Sequence, residues 1–183
     1  MNDALDHEID LINRPHRSIP SNYVSIQGAL FISLILFLIG AALCLQLPGL
    51  AIAVGIFLAI PLIIIYCTIL KSRYLIGNMA VSLVLGMTFL FVGASHGNVS
   101  PMVVPMCLAF GLTLLRELVK DVADIEGDQF LGLRTFPIVF GINWAIRIII
   151  ILCFLIGLGS MIPYFIGVYG LGYIVSLSIG VEL

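Results

Sequence analysis

The length of the uncharged runs constrains this chain more than any other feature. Residues 18–70 contain no Asp, Glu, Lys or Arg, and residues 135–181 contain only Arg147. About 20 helical residues cross the roughly 30 Å hydrocarbon core of a bilayer, so each run is too long for one crossing. The runs also lack the strict alternation of polar and apolar residues that is typical of transmembrane β-strands. The sequence therefore predicts an all-α, polytopic transmembrane helical bundle.

Short segments rich in Gly, Pro or polar residues divide these runs into predicted spans. Gln46–Gly49 and residues 95–101 are two such segments, and Gly157–Pro163 is expected to be a third. Six spans result, at about 24–45, 50–70, 75–93 and 101–117, with two more between 135 and 181.

The composition agrees with a membrane protein. Hydrophobic residues make up 61% of the chain and charged residues 10%, with a mean hydropathy of +1.21. A soluble domain carries roughly a quarter charged residues, so a soluble enzyme is excluded. Membrane lipids are the expected surroundings, and no nucleic-acid partner is expected. Because no Pro/Ser-rich linker interrupts the chain, residues 1–183 are predicted to form a single membrane-embedded domain.

The positions of the basic residues predict the orientation in the membrane. Every Lys and Arg lies in or beside the segments 2–17, 71–73 and 116–147, and the other inter-span turns contain none. Positive residues collect on the cytoplasmic side of membrane proteins. We therefore expect all three charged segments, and any active site that they form, to face the cytoplasm.

Two sets of carboxylates share one spacing, namely i, i+3 and i+7. On a continuous helix each set would lie on one face, where the charges repel unless a cation lies between them. Hard oxygen ligands of this kind suit Mg²⁺. Four predicted spans separate the sets, so both return to the same side of the membrane and could form one magnesium-diphosphate site. The sets are Asp3, Asp6 and Asp10, and Asp121, Asp124 and Asp128.

Longer motifs surround both sets of acids. Asn2–Asp10 reads NDALDHEID and Lys120–Asp128 reads KDVADIEGD. They resemble the NDxxDxxxD and KDxxDxxGD motifs of the UbiA superfamily of intramembrane prenyltransferases. Asn13–Ser21 resembles the NRPxRPIPSG continuation of the first motif, and residues 70–78 resemble the LK…GN loop of that family.

The resemblance covers essentially the whole chain and implies a fold of nine spans. In that family the first acidic motif follows the second span, whereas this chain opens at the motif. We therefore expect the chain to hold six of about nine spans, without the first two and the last.

The resemblance also implies magnesium-dependent transfer of a prenyl group from a prenyl diphosphate. Breaking the allylic carbon–oxygen bond leaves negative charge on the diphosphate, which Mg²⁺ neutralises. The expected catalytic residues are Asp124, Asp128 and Lys120. The expected metal ligands are Asn2, Asp3, Asp6, Asp10, Asp121, Asp124 and Asp128. The expected diphosphate-binding residues are Lys71, Arg73, Asn78, Arg14 and Arg17. Tyr66 is expected in the interfacial aromatic belt rather than in the site.

Substrate choice is less constrained. The run Lys120–Ile138 is most similar to the branch of the superfamily that makes archaeal-type ether lipids, so we expect a geranylgeranyl donor and a glyceryl phosphate lipid acceptor. An aromatic or tetrapyrrole acceptor is the alternative. A transporter is disfavoured because its ionisable residues are expected near the bilayer midplane. A CDP-alcohol phosphatidyltransferase is disfavoured because the chain has no DGxxAR-type run.

Overall fold

The computed structural model describes residues 1–71, 73–130 and 132–182, and within these ranges the side chains of all but residues 9, 13 and 180–182. Helices make up the regular structure of these ranges. They are α1 (Asn2–Leu5), α2 (His7–Asn13), α3 (Ile26–Cys44), α4 (Gly49–Leu70), α5 (Ile76–Ser95), α6 (Val103–Ala123), α7 (Ile125–Phe130), α8 (Phe136–Phe140), α9 (Ile142–Phe165) and α10 (Leu171–Glu182).

Five of the described helices are long and apolar enough to cross a membrane. They are α3, α4, α5, α6 with the 3₁₀ turn Ser100–Met102 that precedes it, and α9, and they contain 19 to 24 residues each. At 1.5 Å per residue these lengths match a bilayer core of about 30 Å. The prediction of an all-α, polytopic membrane protein is confirmed.

The predicted position of the break within residues 135–181 is wrong. The helix α9 continues through Gly157–Pro163 and ends at Phe165. Its end is capped beyond the predicted break, where Gly167 adopts φ +75° and the N–H groups of Val168 and Tyr169 donate to Pro163 O. The following helix α10 has 12 residues and a length of about 18 Å, which is short of a full crossing. The described residues thus hold five spans instead of six.

Small residues allow α5 and α6 to pack closely as an antiparallel hairpin. A Cβ built on Gly86 would lie 3.1 Å from Met106 O, and one built on Gly93 would lie 2.8 Å from Val99 Cα. Glycine permits such backbone approach between helices in a membrane, where dispersion contacts and not the exclusion of water hold helices together.

A cluster of apolar side chains fixes the end of this hairpin that carries the acidic motif. Leu118 of α6 is fully buried against Phe136 of α8 and Ala145 of α9, with Leu114 and Val122 packed beside it. Because this cluster lies on the turn of α6 that precedes Lys120, it fixes the direction in which the second acidic motif leaves the bundle.

We expect Gly93→Ala to destabilise the bundle, because its methyl group would meet the Val99 backbone. The backbone must shift to remove that overlap, which should lower the thermal midpoint of the detergent-solubilised protein by about 3–10 °C. Gly40→Ala is the matched control, because no atom lies within 4 Å of a Cβ at that helical position. Its midpoint should stay the same or rise slightly, since alanine favours helix. Equal losses in the two variants would contradict the packing described here.

Candidate active site

Both acidic motifs are kinked at their central aspartate. Asp6 separates α1 from α2 with φ −92° and ψ 7°, and Asp124 separates α6 from α7 with φ −95° and ψ 8°. The next acid of each motif returns a backbone hydrogen bond to the kink, from Asp10 N to Asp6 O at 2.8 Å and from Asp128 N to Asp124 O at 3.0 Å. The prediction that each set lies on one continuous helical face is therefore wrong, because a kink separates the first acid from the third.

The kinks divide the acids by exposure. Asp6, Asp10 and Asp128 are buried, with 6%, 4% and 7% of their surface exposed, while Asp3 lies on the outside. Buried carboxylates need compensating charge or hydrogen bonds. Each of these acids therefore requires a partner on another element.

Basic side chains pair with the acids of both motifs. Arg14, which follows α2, donates to Asp124 at 3.2 Å, so the pair joins residues 110 positions apart in sequence. Arg17 donates to Asp10 at 2.9 Å and to Asp3 at 3.2 Å.

The loop after α4 and the first turn of α5 supply two further partners. Lys71 forms an ion pair with Asp6, and Asn78 Nδ2 donates to Asp121 Oδ2 at 2.8 Å.

The turn that positions Lys71 and Asn78 is tight. A Cβ on Gly77 would lie 2.7 Å from Leu70 O, so only glycine fits where the chain folds back at this position. Leu75 adopts φ 59° in a γ-turn closed by the Ile76 N to Tyr74 O hydrogen bond.

These groups surround one polar cavity of about 120 Å³ at the basic end of the spans. Six carboxylates and four basic side chains line it, so its formal charge is negative. The lining residues are Asn2, Asp6, Asp10, Arg14, Arg17, Tyr66, Lys71, Gly77, Asn78, Glu117, Lys120, Asp121, Asp124, Asp128, Leu133 and Thr135.

The structure brings most of the predicted site residues into this cavity. Asp3 and Arg73 are the predicted residues that do not line it, and both have exposed side chains.

The sequence interpretation missed Glu117, which lies one turn before Lys120 with its carboxylate 3.6 Å from the Lys120 ammonium. It also placed Tyr66 in the interfacial belt, whereas the structure places it in the cavity wall. A π-helical turn runs from Tyr66 to Leu70, directly before Lys71, and such turns are frequent at functional sites.

Burial shifts the pKa of two cavity groups that lie beyond the ends of the spans, Lys71 and Asp128. Desolvation, and next repulsion from Lys120, lowers the pKa of the Lys71 ammonium to about 8. Contact with Asp6 favours the charged form, so Lys71 is protonated at neutral pH. Desolvation, and next the charge of Asp124, raises the pKa of the Asp128 carboxyl above its ordinary value. A cation placed beside Asp128 would favour its ionised form.

The donor set fits a hard divalent cation. Asn2 Nδ2 donates to Asp6 at 2.9 Å, whereas Asn2 Oδ1 is buried without a hydrogen-bond partner. This oxygen is therefore free to bind a cation. Among the described residues, no three acidic, histidine or cysteine side chains converge closely enough to hold a metal ion alone. Mg²⁺ is commonly bound by one or two carboxylates together with substrate phosphates, and the observed arrangement meets that requirement.

The fold and the cavity define a polytopic helical membrane protein with a polar site of acidic and basic groups at one end of its spans. The chain belongs to the UbiA prenyltransferase family, whose profile matches residues 1–181. This membership confirms the resemblance found in the motifs. It decides against both the transporter and the phosphatidyltransferase alternatives.

Individual relatives agree with the family assignment. The digeranylgeranylglyceryl phosphate synthase of Natronomonas pharaonis is 40% identical over 178 residues, which cover 97% of this chain and 64% of the relative. The synthase of that name from Methanosphaera stadtmanae is 36% identical over 179 residues, covering 98% of this chain and 65% of the relative. The chain thus spans just under two thirds of the length of these relatives.

A solved structure shares the fold. It comes from work on the biosynthesis of digeranylgeranylglyceryl phosphate synthase in membranes, and its TM-score to this chain is 0.74 at 31% sequence identity. The match covers 97% of this chain and 63% of that structure.

The Arg14–Asp124 pair should hold the N-terminal segment against the bundle. Both side chains are about one third exposed, so we expect Arg14→Ala to cost up to about 1 kcal/mol. The amides of α1 and α2 should then exchange with solvent about two to five times faster, measured by hydrogen exchange and mass spectrometry. Arg147→Ala is the control, because Arg147 stacks on Trp144 away from this segment. Unchanged exchange in Arg14→Ala would show that the pair does not anchor the motif.

Proposed function

We propose that this chain carries the catalytic centre for transfer of a geranylgeranyl group from its diphosphate to geranylgeranylglyceryl phosphate. The observation that carries the proposal is the convergence of both acidic motifs on one cavity, where Arg14 joins them through Asp124. The names of the relatives support the choice of donor and acceptor.

The charge of the cavity supports a requirement for Mg²⁺. A diphosphate is strongly anionic, and carboxylates outnumber basic groups among the cavity-lining residues, so the protein alone would repel it. Bound Mg²⁺ would neutralise the diphosphate and act as a Lewis acid on the leaving oxygen. The oxygens of Asn2 and Asp6 in the first motif, and of Asp124 and Asp128 in the second, are the ligands that we assign to the magnesium ions, with diphosphate oxygens completing each set.

Besides holding Mg²⁺, the chain would bind the diphosphate and shield the prenyl carbon. Lys71 and Lys120 bind phosphate oxygens as the allylic carbon–oxygen bond breaks and its electron pair stays on the diphosphate. The acceptor hydroxyl oxygen then forms the new ether bond to the prenyl carbon, and its proton passes to the departing diphosphate. The apolar helices around the prenyl chain would keep water from capturing the prenyl carbon.

A second cavity suits the prenyl chain. It has a volume of about 300 Å³, is almost wholly apolar and lies between α3, α4 and α5. Its residue Met87 is nine positions beyond Asn78 on α5, which corresponds to about 14 Å along the helix axis. This separation lets a long prenyl chain extend from the polar cavity into the bundle.

We also propose that the polar cavity opens on the cytoplasmic side. All eight Lys and Arg residues lie at that end of the spans, and the turns at 45–48, 96–99 and 166–170 contain none. The positive-inside rule assigns such an end to the cytoplasm.

We expect Asp124→Asn and Asp128→Asn to abolish the metal-dependent steps while leaving the fold intact. The loss of one ligand charge should lower release of diphosphate at least about 100-fold. It should also weaken Mg²⁺-dependent binding of an unreactive donor analogue, geranylgeranyl thiodiphosphate. Glu126→Gln is the matched control, because Glu126 lies between them on α7 but is exposed and outside the cavity. Donor binding that persists in EDTA, or that survives both Asp variants, would reject the metal assignment.

Acceptor choice can be tested by direct competition. Labelled geranylgeranyl diphosphate is supplied with geranylgeranylglyceryl phosphate, 4-hydroxybenzoate, homogentisate or chlorophyllide in parallel reactions. We expect the label to enter the glyceryl phosphate lipid, because the relatives that match nearly all of this chain are named for that product. Transfer to an aromatic ring or a tetrapyrrole instead would reject the acceptor and leave the metal site standing.

A further inference from the structure

Two arginines stand side by side at the rim of the polar cavity. Arg73, in the loop after α4, and Arg134, in the segment before α8, form an isolated parallel backbone bridge. Paired strands lie about 4.8 Å apart, and residues directly paired across them direct their side chains to the same side. Both side chains are exposed. The bridge thus pairs two like-charged residues from segments that are distant in sequence.

Neither guanidinium group has a carboxylate partner among the described residues. Like charges directly opposite each other on paired strands are destabilising unless an anion lies between them. The bridge therefore creates a local demand for an anion, and a guanidinium pair matches the geometry of phosphate.

The two arginines lie beside the cavity in the sequence segments that form its wall. Lys71 lies two residues before Arg73, and Leu133 and Thr135 on either side of Arg134 line the cavity, although the two arginines do not. Side chains alternate along an extended segment, which explains why Arg134 lies on the outer side of the wall that its neighbours form. An anion bound by the pair would sit just outside the diphosphate region.

The charge inside the cavity explains why a second phosphate would bind there. Arg14, Arg17, Lys71 and Lys120 are each within 4 Å of a carboxylate, and Lys71 and Lys120 are also assigned to the donor diphosphate. An acceptor that carries its own phosphate needs cations that are not committed in this way. On a three-carbon glycerol skeleton, the phosphate and the free hydroxyl are close enough for one to lie at the rim and the other in the cavity.

We propose that Arg73 and Arg134 form the binding site for the phosphate of the lipid acceptor, and that they select glyceryl phosphate lipids over acceptors without a phosphate. This inference rests on the proposed function. It replaces the assignment of Arg73 to the donor diphosphate that the sequence motif implied.

The test measures binding to the purified 183-residue chain in detergent. Geranylgeranylglyceryl phosphate is compared with geranylgeranylglycerol, which lacks the phosphate, and with phosphatidylglycerol, an anionic lipid of the membrane. Arg73→Gln and Arg134→Gln should each weaken binding of geranylgeranylglyceryl phosphate about tenfold, and the double variant should lose little more than the stronger single variant. Binding of geranylgeranylglycerol should not change.

Arg116→Gln is the matched control, because Arg116 is also exposed and has no ion pair among the described residues. It should leave acceptor binding unchanged. No variant should lower the thermal midpoint. Arg73→Lys keeps the charge without the paired donors, so it should retain part of the affinity.

Binding of the donor analogue, measured on the same samples, separates this inference from the proposed function. Normal acceptor binding in both Gln variants, with donor binding intact, overturns the arginine site alone. An equal loss for phosphatidylglycerol overturns the acceptor assignment and makes the pair a general headgroup site. Failure of the parent chain to bind geranylgeranylglyceryl phosphate overturns the inference, and failure to bind the donor analogue overturns the proposed function.

Discussion

The exclusion of charge from the bilayer core is the constraint on which the rest of this structure depends. A charged side chain at the centre of a transmembrane helix costs several kcal/mol, so every Lys and Arg lies at one end of the five described spans. The same constraint brings together two acidic motifs that are more than 100 residues apart. The site consequently forms at the end of the bundle, where apolar cavities between helices adjoin charged loops.

Within that end of the bundle, the kinks at Asp6 and Asp124 determine how the carboxylates are presented. A straight helix would display each set along one stripe and leave like charges adjacent. The kinks turn Asp10 and Asp128 into buried positions and leave Asp3 outside, paired with Arg17. Because the two kinks have nearly the same backbone angles, the two motifs offer their oxygens to one cavity in similar local geometry.

The balance of charge then separates two kinds of basic residue. Those inside the cavity compensate carboxylates and hold the motifs in place, as Arg14 does for Asp124. The arginines at the rim have no such partner among the described residues, so they remain available to an anion from outside. Residues of one chemical type therefore serve different purposes according to what the fold places beside them.

The sequence by itself determined the membrane class, the first three spans to within two residues and the location of both motifs on one side, because hydropathy and the positions of charges depend on local composition alone. It did not determine that α9 continues past Gly157 to Phe165, since a glycine ends a helix only when other contacts cap it there. Nor did it place Glu117 and Tyr66 in the cavity or Arg73 at its rim. Those positions depend on which helices and loops meet in space, and spacing along one segment carries no information about the side chains that another segment brings to it.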